Sequence, residues 1–362
     1  PELWALTMVF DQFQLVIDNL LTSSPTFTSC FKLLFMWREA HVLEPVVESS
    51  ARDWIVDPKK RNYRELEIMR RHAYRARIVT IVDYFIIMCC FAFFVYAPLF
   101  GLNIRIINNI TDYAERRHLM VQTYYPYDYS TSPLFEMTVF VQQLSCLFIA
   151  MAVSIPDNYF VALVLHTSAQ YEILGADIEN FFPHSSSSPS VGASFFIDEQ
   201  LNDRILASFV DRHVHLNRMV SLIEQSFSFV TAVQVFCMIS MVCCLGFETL
   251  GMLDPNMTSS KPTPLQILTI LAMLFYIMLH TLVNCLASET LALRSEAVHS
   301  NIYNSQWYTM PCKQMRYFIP MMIVSKNPQQ IKAGRILPMS METYCSIVKT
   351  TAGYLSVLIA VS

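Results

Sequence analysis

A bundle of membrane-spanning α-helices is the fold class this sequence predicts, on three observations. Hydrophobic residues make up 54% of the chain against 15% charged, with a mean hydropathy of +0.37, whereas water-soluble domains carry about 25% charged residues. The apolar residues are gathered into stretches long enough to cross a bilayer, separated by charged or polar segments. Only seven glycines serve 362 residues, so long helices joined by moderate loops are the natural layout. The net charge of −4 is too small to favour nucleic acid as a partner.

Taken in order, PELWALTMVF opens in mid-pattern and lacks the basic region and cleavage site of a signal peptide. It reads as the tail of an earlier helix. Val9 to Trp37 is helical in pattern but carries Asp11, Gln12, Gln14, Asp18 and Asn19, which fits one wall of a bundle with a polar interior. Arg38 to Arg77 is strongly charged. Val79 to Phe100 is a clear span with one acid, Asp83, and a Tyr-rich polar segment runs from Gly101 to Pro133. Leu134 to Leu165 exceeds a bilayer's need and is interrupted by Ser154-Ile155-Pro156-Asp157, so a kink at Pro156 and projection beyond the membrane are expected. The mixed-charge segment 166–219 holds a serine run, Ser185 to Ser188, read as a loop tip, and then helical periodicity. Spans follow at Val220–Leu250 and Leu265–Ala287. The last sixty residues comprise a polar aromatic segment, an apolar piece Met315–Val324, a basic link to Pro338, and a final apolar helix Thr343–Val361 whose one side is small and polar.

Orientation follows from charge. Lys and Arg number 11 in Lys32–Arg77, 3 in 166–219 and 6 in 290–337, against 3 in 101–133 and 1 in 251–264. The positive-inside rule assigns the first three segments to the cytoplasm. The sequons at Asn109 and Asn256 both fall in the loops this assigns outside. With the truncated first span, the reading is seven helices, an intracellular N-terminus and an extracellular C-terminus.

No nucleophile, phosphate-loop, zinc or cofactor motif occurs, so neither an enzyme nor a cofactor or metal is expected. His213 and His215 point to different helix faces and read as solvated rather than metal-binding. The ten cysteines fall mostly in apolar spans and read as small packing residues. Phe91, Phe93, Phe94 and Tyr96 pack the bundle or line an apolar pocket. Polar tips at similar depth, Thr138, Gln142, Gln143, Thr269 and Tyr276, favour a small-molecule site in that region. Lys349 in the last helix either snorkels to the boundary or faces a wet path.

The run YNSQWY (303–308), the link KAGRILPMSMETYCSIVKT (332–350) and Tyr354 resemble the C-terminal signature of insect odorant receptors. Ala333, Gly334, Pro338, Ser340, Glu342, Thr343, Ile347 and Lys349 stand in register, and Met339 replaces the usual Leu. The resemblance implies an odorant-binding subunit of a ligand-gated, non-selective cation channel, tetrameric with a shared odorant co-receptor. Its partners would be a small volatile organic ligand, the lipid bilayer, and monovalent and divalent cations as permeants, in the plasma membrane of a sensory-neuron dendrite. It implies membrane helices of a ligand-binding bundle over 1–165 and 220–289. Cytoplasmic loop and helix extensions would occupy 166–219, a cytoplasmic anchor 290–337 and a pore-lining helix 338–362.

Carried onto this chain as a region, the family's pocket falls on Asn19, Thr22, Cys90, Phe93, Phe94, Ala97, Phe135, Thr138, Gln142, Cys146, Thr269, Met273 and Tyr276. The pore and gate fall on Thr350, Tyr354, Val357, Ala360 and Val361, and the anchor interface on Tyr303, Trp307 and Tyr308. A gustatory-type homotetrameric channel is the alternative. A G-protein-coupled receptor fits less well, since the predicted orientation is opposite and its Asp-Arg-Tyr and Asn-Pro-x-x-Tyr motifs are absent.

Overall fold

The computed structural model describes residues 2–8, 10–11, 13–55, 62–99, 119, 123–129, 131–182, 199–253 and 263–361. The described residues are almost wholly helical: α1 (Glu2–Met8), α2 (Phe13–Ile55), α3 (Tyr63–Leu99), α4 (Leu134–Phe181), α5 (Glu199–Leu253), α6 (Pro264–Asn304), α7 (Cys312–Ser325) and α8 (Met341–Val361). A 3₁₀ turn, Trp307–Thr309, precedes α7, and a two-stranded antiparallel hairpin, β1 (Lys332–Ala333) and β2 (Leu337–Pro338), precedes α8.

Helices α3 to α6 each contain a stretch long and apolar enough to cross a membrane. Much of that apolar surface is exposed, as at Phe85, Phe140, Phe148, Phe236 and Phe275. Exposed apolar side chains in such numbers require lipid in place of water. The apolar stretch of α5 is 44% buried against 11% for α3, which makes α5 the central stave.

The helices run well past the predicted spans. Arg38–Arg77 was expected as a charged segment between spans; instead α2 continues to Ile55 and α3 begins at Tyr63. Likewise α4 passes without a break through Pro156 to Phe181. These extensions form one end of the bundle, here the basic end, which carries Arg64, Arg71, Arg212 and Arg294. The main hydrophobic core lies there. Leu43 and Val46 of α2 meet Phe160, Tyr171 and Ile178 of α4, Leu206 and Ile223 of α5, Leu291 and Val298 of α6, and Phe318 of α7. Glu172 of α4 gathers Arg71 and His72 of α3 and Arg294 of α6, the last two at 2.9 and 3.3 Å. A Cβ at Gly175 would stand 2.4 Å from the Asn301 amide nitrogen, so glycine permits this α4–α6 approach.

Two expectations need correction here. Lys32, counted with the cytoplasmic cations, is wholly buried in the bundle. His213, read as solvated, is buried edge-on against Tyr171, while His215 reaches Ser49 Oγ at 2.9 Å. Opposite faces of α5 therefore send one imidazole into the core and the other to a rim. Asn109, Asn256 and Ser185–Ser188 lie outside the described residues.

Candidate functional site

The predicted pocket residues sit in the end opposite the basic one. Each lies within twelve residues of its helix end, as Tyr276 does from Pro264 and Cys146 from Leu134, about 18 Å along the axis. Asn19 is fully buried, and its Nδ2 donates to the Glu2 carbonyl at 3.2 Å. Thr22 bonds back to its own helix. On α4, Thr138 meets Tyr127 Oη at 2.9 Å, and Gln142 Nε2 donates to Thr123 Oγ1 at 2.7 Å. Thr269 is buried beside Ile270, which packs with Leu245, Leu21 and Met273. Phe93 and Phe135 are half-buried, whereas Cys90 and Cys146 are exposed on this chain. The side chains of Phe94 and Ala97 lie outside the described residues.

Beneath this region the helices are tied by a polar layer. Lys32 Nζ of α2 lies 2.5 Å from Asp157 Oδ2 of α4 and donates to the Val153 carbonyl at 3.1 Å. The same carboxylate oxygen receives Gln234 Nε2 of α5 at 3.0 Å and His280 Nε2 of α6 at 3.1 Å. Gln234 Nε2 also lies 3.1 Å from His280 Nδ1, so a neutral imidazole protonated on Nε2 satisfies both bonds. One turn away, Asp83 of α3 accepts from Ser154 Oγ, from Asn158 Nδ2 at 2.7 Å, and from Tyr276 Oη at 3.5 Å. Five helices thus meet through two carboxylates, and Tyr276 belongs to both the predicted pocket and this layer. Sequence reasoning noticed Asp83 and Asp157 but not their partners. The available signal was an acid in each of two apolar spans, which demands a buried partner.

The layer is also close to the last helix. On α5, Ala232 and Val235 flank Gln234 and pack with Ala333, Met339, Tyr344 and Ile347. Ser228, further along α5, holds the hairpin. Its Oγ donates to the Lys332 carbonyl at 2.6 Å and accepts from Arg335 N at 2.8 Å, and its carbonyl accepts from Gly334 N at 2.7 Å. The turn needs left-handed backbone at Gly334 and Arg335, with φ of 61° and 63°. Glu289 of α6 accepts from Met341 N at 2.5 Å, placing a carboxylate on the first turn of α8.

Helix α8 packs along α5 and α6 by one face. Its exposed face reads Glu342, Ser346, Lys349, Gly353, Ser356, a spacing of four and three, and Thr350 is also exposed. Backbone helix continues to Val361, but the side chains of Tyr354, Val357, Ala360 and Val361 lie outside the described residues. Tyr303 and Tyr308 are exposed, and Trp307 packs against the main core.

Among the described residues, cavities open at the basic end. One, of about 300 Å³, lies between α2, α3, α4 and α5 beside Asp53, His166 and His215; another, of about 360 Å³, lies beside Arg71, Glu172 and Arg294. Neither is lined by a predicted pocket residue. Among the described residues, no group of three His, Cys, Asp or Glu side chains is arranged to hold a metal.

The profile described as 7tm Odorant receptor matches residues 12–352. Two solved structures of the insect olfactory receptor OR5 from Machilis hrabei share the fold. The complex with eugenol matches with a TM-score of 0.77 and the other structure with 0.78; each is 16% identical, covering 100% of this chain and 85% of the solved one. No curated protein matches. The chain is a multi-pass membrane protein built as an all-α bundle, and with its profile matched over nearly its whole length it belongs to the insect odorant receptor family, whose members are channels and not enzymes.

Proposed function

We propose that this chain is the odorant-binding subunit of a ligand-gated, non-selective cation channel, working as a tetramer with the shared co-receptor. It sits in the plasma membrane of a sensory neuron with its basic end in the cytoplasm. The observation that carries the reading is the family match together with the exposed face of α8. That face is polar and small where a lipid-facing helix would be leucine-rich. Thr350, Tyr354, Val357, Ala360 and Val361 line or close the pore at the far turns of α8; a valine constriction closes a path by excluding water. Tyr303, Trp307 and Tyr308 face neighbouring subunits in the anchor, in keeping with the exposure of both tyrosines.

The ligand site is placed among Asn19, Thr22, Cys90, Phe93, Phe94, Ala97, Phe135, Thr138, Gln142, Cys146, Thr269, Met273 and Tyr276. The well-packed core lies at the other end, which leaves this half the softer one. A small ligand needs only to bind one packing of the helices better than the other to shift the channel towards opening. A relative of the same fold was solved with eugenol, a small organic molecule, which supports a ligand of that scale here.

The test is a panel of volatile compounds applied to cells expressing this chain with and without the co-receptor. Ligand-evoked cation current only with both subunits is the expected result. Current from this chain alone would favour a homotetramer and overturn the co-receptor assignment.

A further inference from the structure

We propose that the ligand is a mainly apolar molecule presenting a hydrogen-bond donor, a hydroxyl or an amino group, to acceptor oxygens in the half of the bundle opposite the basic end. This rests on the reading above that this half holds the ligand. Three buried side chains there each keep an oxygen with no hydrogen-bond partner among the described residues: Asn19 Oδ1 on α2, Gln142 Oε1 on α4 and Glu248 Oε1 on α5. Asn19 is 0% exposed, and Gln142 and Glu248 are each 5% exposed. The Asn19 amide is oriented by its donation from Nδ2 to the Glu2 carbonyl, and Gln142 Nε2 donates to Thr123 Oγ1. Turning the Asn19 amide over would set its oxygen against the Glu2 carbonyl, which only accepts, and break that bond.

The three side chains stand at the same end of the bundle and are linked through the groups beside them. Asp18, next to Asn19, lies within electrostatic reach of Glu248. Cys146, one turn from Gln142, lies within reach of Glu2. The Glu2 carbonyl is the group Asn19 holds, and its carboxylate accepts from Thr26 Oγ1 at 3.0 Å. Composition points the same way. Glu2, Asp18 and Glu248 are acids, and residues 13–30, 84–99, 134–152, 235–253 and 264–279 contain no lysine, arginine or histidine.

A buried acceptor without a donor has lost its water and gained nothing in return. A hydroxyl or ammonium hydrogen repairs that; an ether, ester or hydrocarbon leaves it as it was. A site of this kind discriminates against analogues lacking the hydrogen more sharply than an apolar wall discriminates between chain lengths.

The experiment compares alcohols, primary amines and the methyl ethers of the same alcohols, on straight-chain and aromatic skeletons, in cells expressing this chain with the co-receptor. The expected result is that the best alcohol or amine acts at a concentration at least about tenfold below its matched ether. The alcohol and amine arms then tell which donor is used. Glu248→Leu and Gln142→Leu, at normal surface level, should narrow that gap, and the wild-type comparison stands even where a variant fails to reach the surface. Equal potency of ethers and alcohols on every skeleton, with robust currents, overturns the donor preference alone. Silence to every compound, with a responsive control receptor in the same cells, overturns the proposed function and this inference with it.

Discussion

Lys32 and Asp157, 125 residues apart in sequence, form an ion pair of 2.5 Å whose side chains are 1% and 6% exposed. Two charges taken this far from water are retained only if each satisfies the other and the remaining valences are filled, as Val153, Gln234 and His280 do here. The pair locks α2 to α4, and its two auxiliary donors bring in α5 and α6.

Removing one partner leaves the other as an uncompensated buried charge. Lys32→Met and Asp157→Leu should each destabilise the protein by about 3–5 kcal/mol. The double variant should recover most of that loss. Thermal unfolding of the detergent-purified protein measures all three; a double variant as unstable as either single would show that the pair is not coupled.

Ser228 ties α5 to the hairpin with both its hydroxyl and its carbonyl. Ser228→Ala leaves the Lys332 carbonyl and the Arg335 amide without their partner, a loss of about 1–3 kcal/mol. Loosening the base of α8 should raise basal current while the concentration of ligand that stabilises the protein against heat stays unchanged. Equal basal currents in the variant and the parent would remove Ser228 from control of the pore.

Gly175→Ala sets a methyl against the Asn301 amide, which would stand at 2.4 Å. The α4–α6 approach must open or Asn301 must swing away, costing about 1–3 kcal/mol. The paired variant Gly175→Ala with Asn301→Ala should restore much of the melting temperature, because the obstructing side chain is then gone.

The gate assignment is tested at Val357, seven residues on from Thr350 and four from Gly353 in the same helical register. Val357→Ala or Val361→Ala should raise basal current or change relative cation permeability, read by whole-cell recording with ion substitution. Unchanged conduction in both would exclude them.

The membrane spans were legible because an apolar stretch of about twenty residues suits a bilayer core and little else. The apolar stretch Met315–Val324 likewise became α7, and the final helix starts within two residues of its expected place. The helical extensions of α2 and α3 were hidden, since a helix rich in Arg and Glu has the same composition as a solvated linker. The polar layer was hidden for another reason. Asp83 meets Ser154, Asn158 and Tyr276 across 71, 75 and 193 residues, and no local pattern encodes such a meeting. The proposed pocket residues all lie in the half of the bundle opposite the basic end, because each falls near the same end of its apolar span. The three unfilled oxygens beside them emerge only once every neighbouring donor has been assigned.

The attachment of α8 has a mechanical consequence. The helix is held at its first residue by Glu289 and, just before it, by the hairpin clasped to Ser228, and it runs 21 residues from there. It is a cantilever about 31 Å long. A tilt of about 5° at such a base sweeps its tip through roughly 3 Å, near the width of a water molecule. The clamp can therefore stay closed, with every bond at Ser228 and Glu289 intact, while the distal turns part or meet.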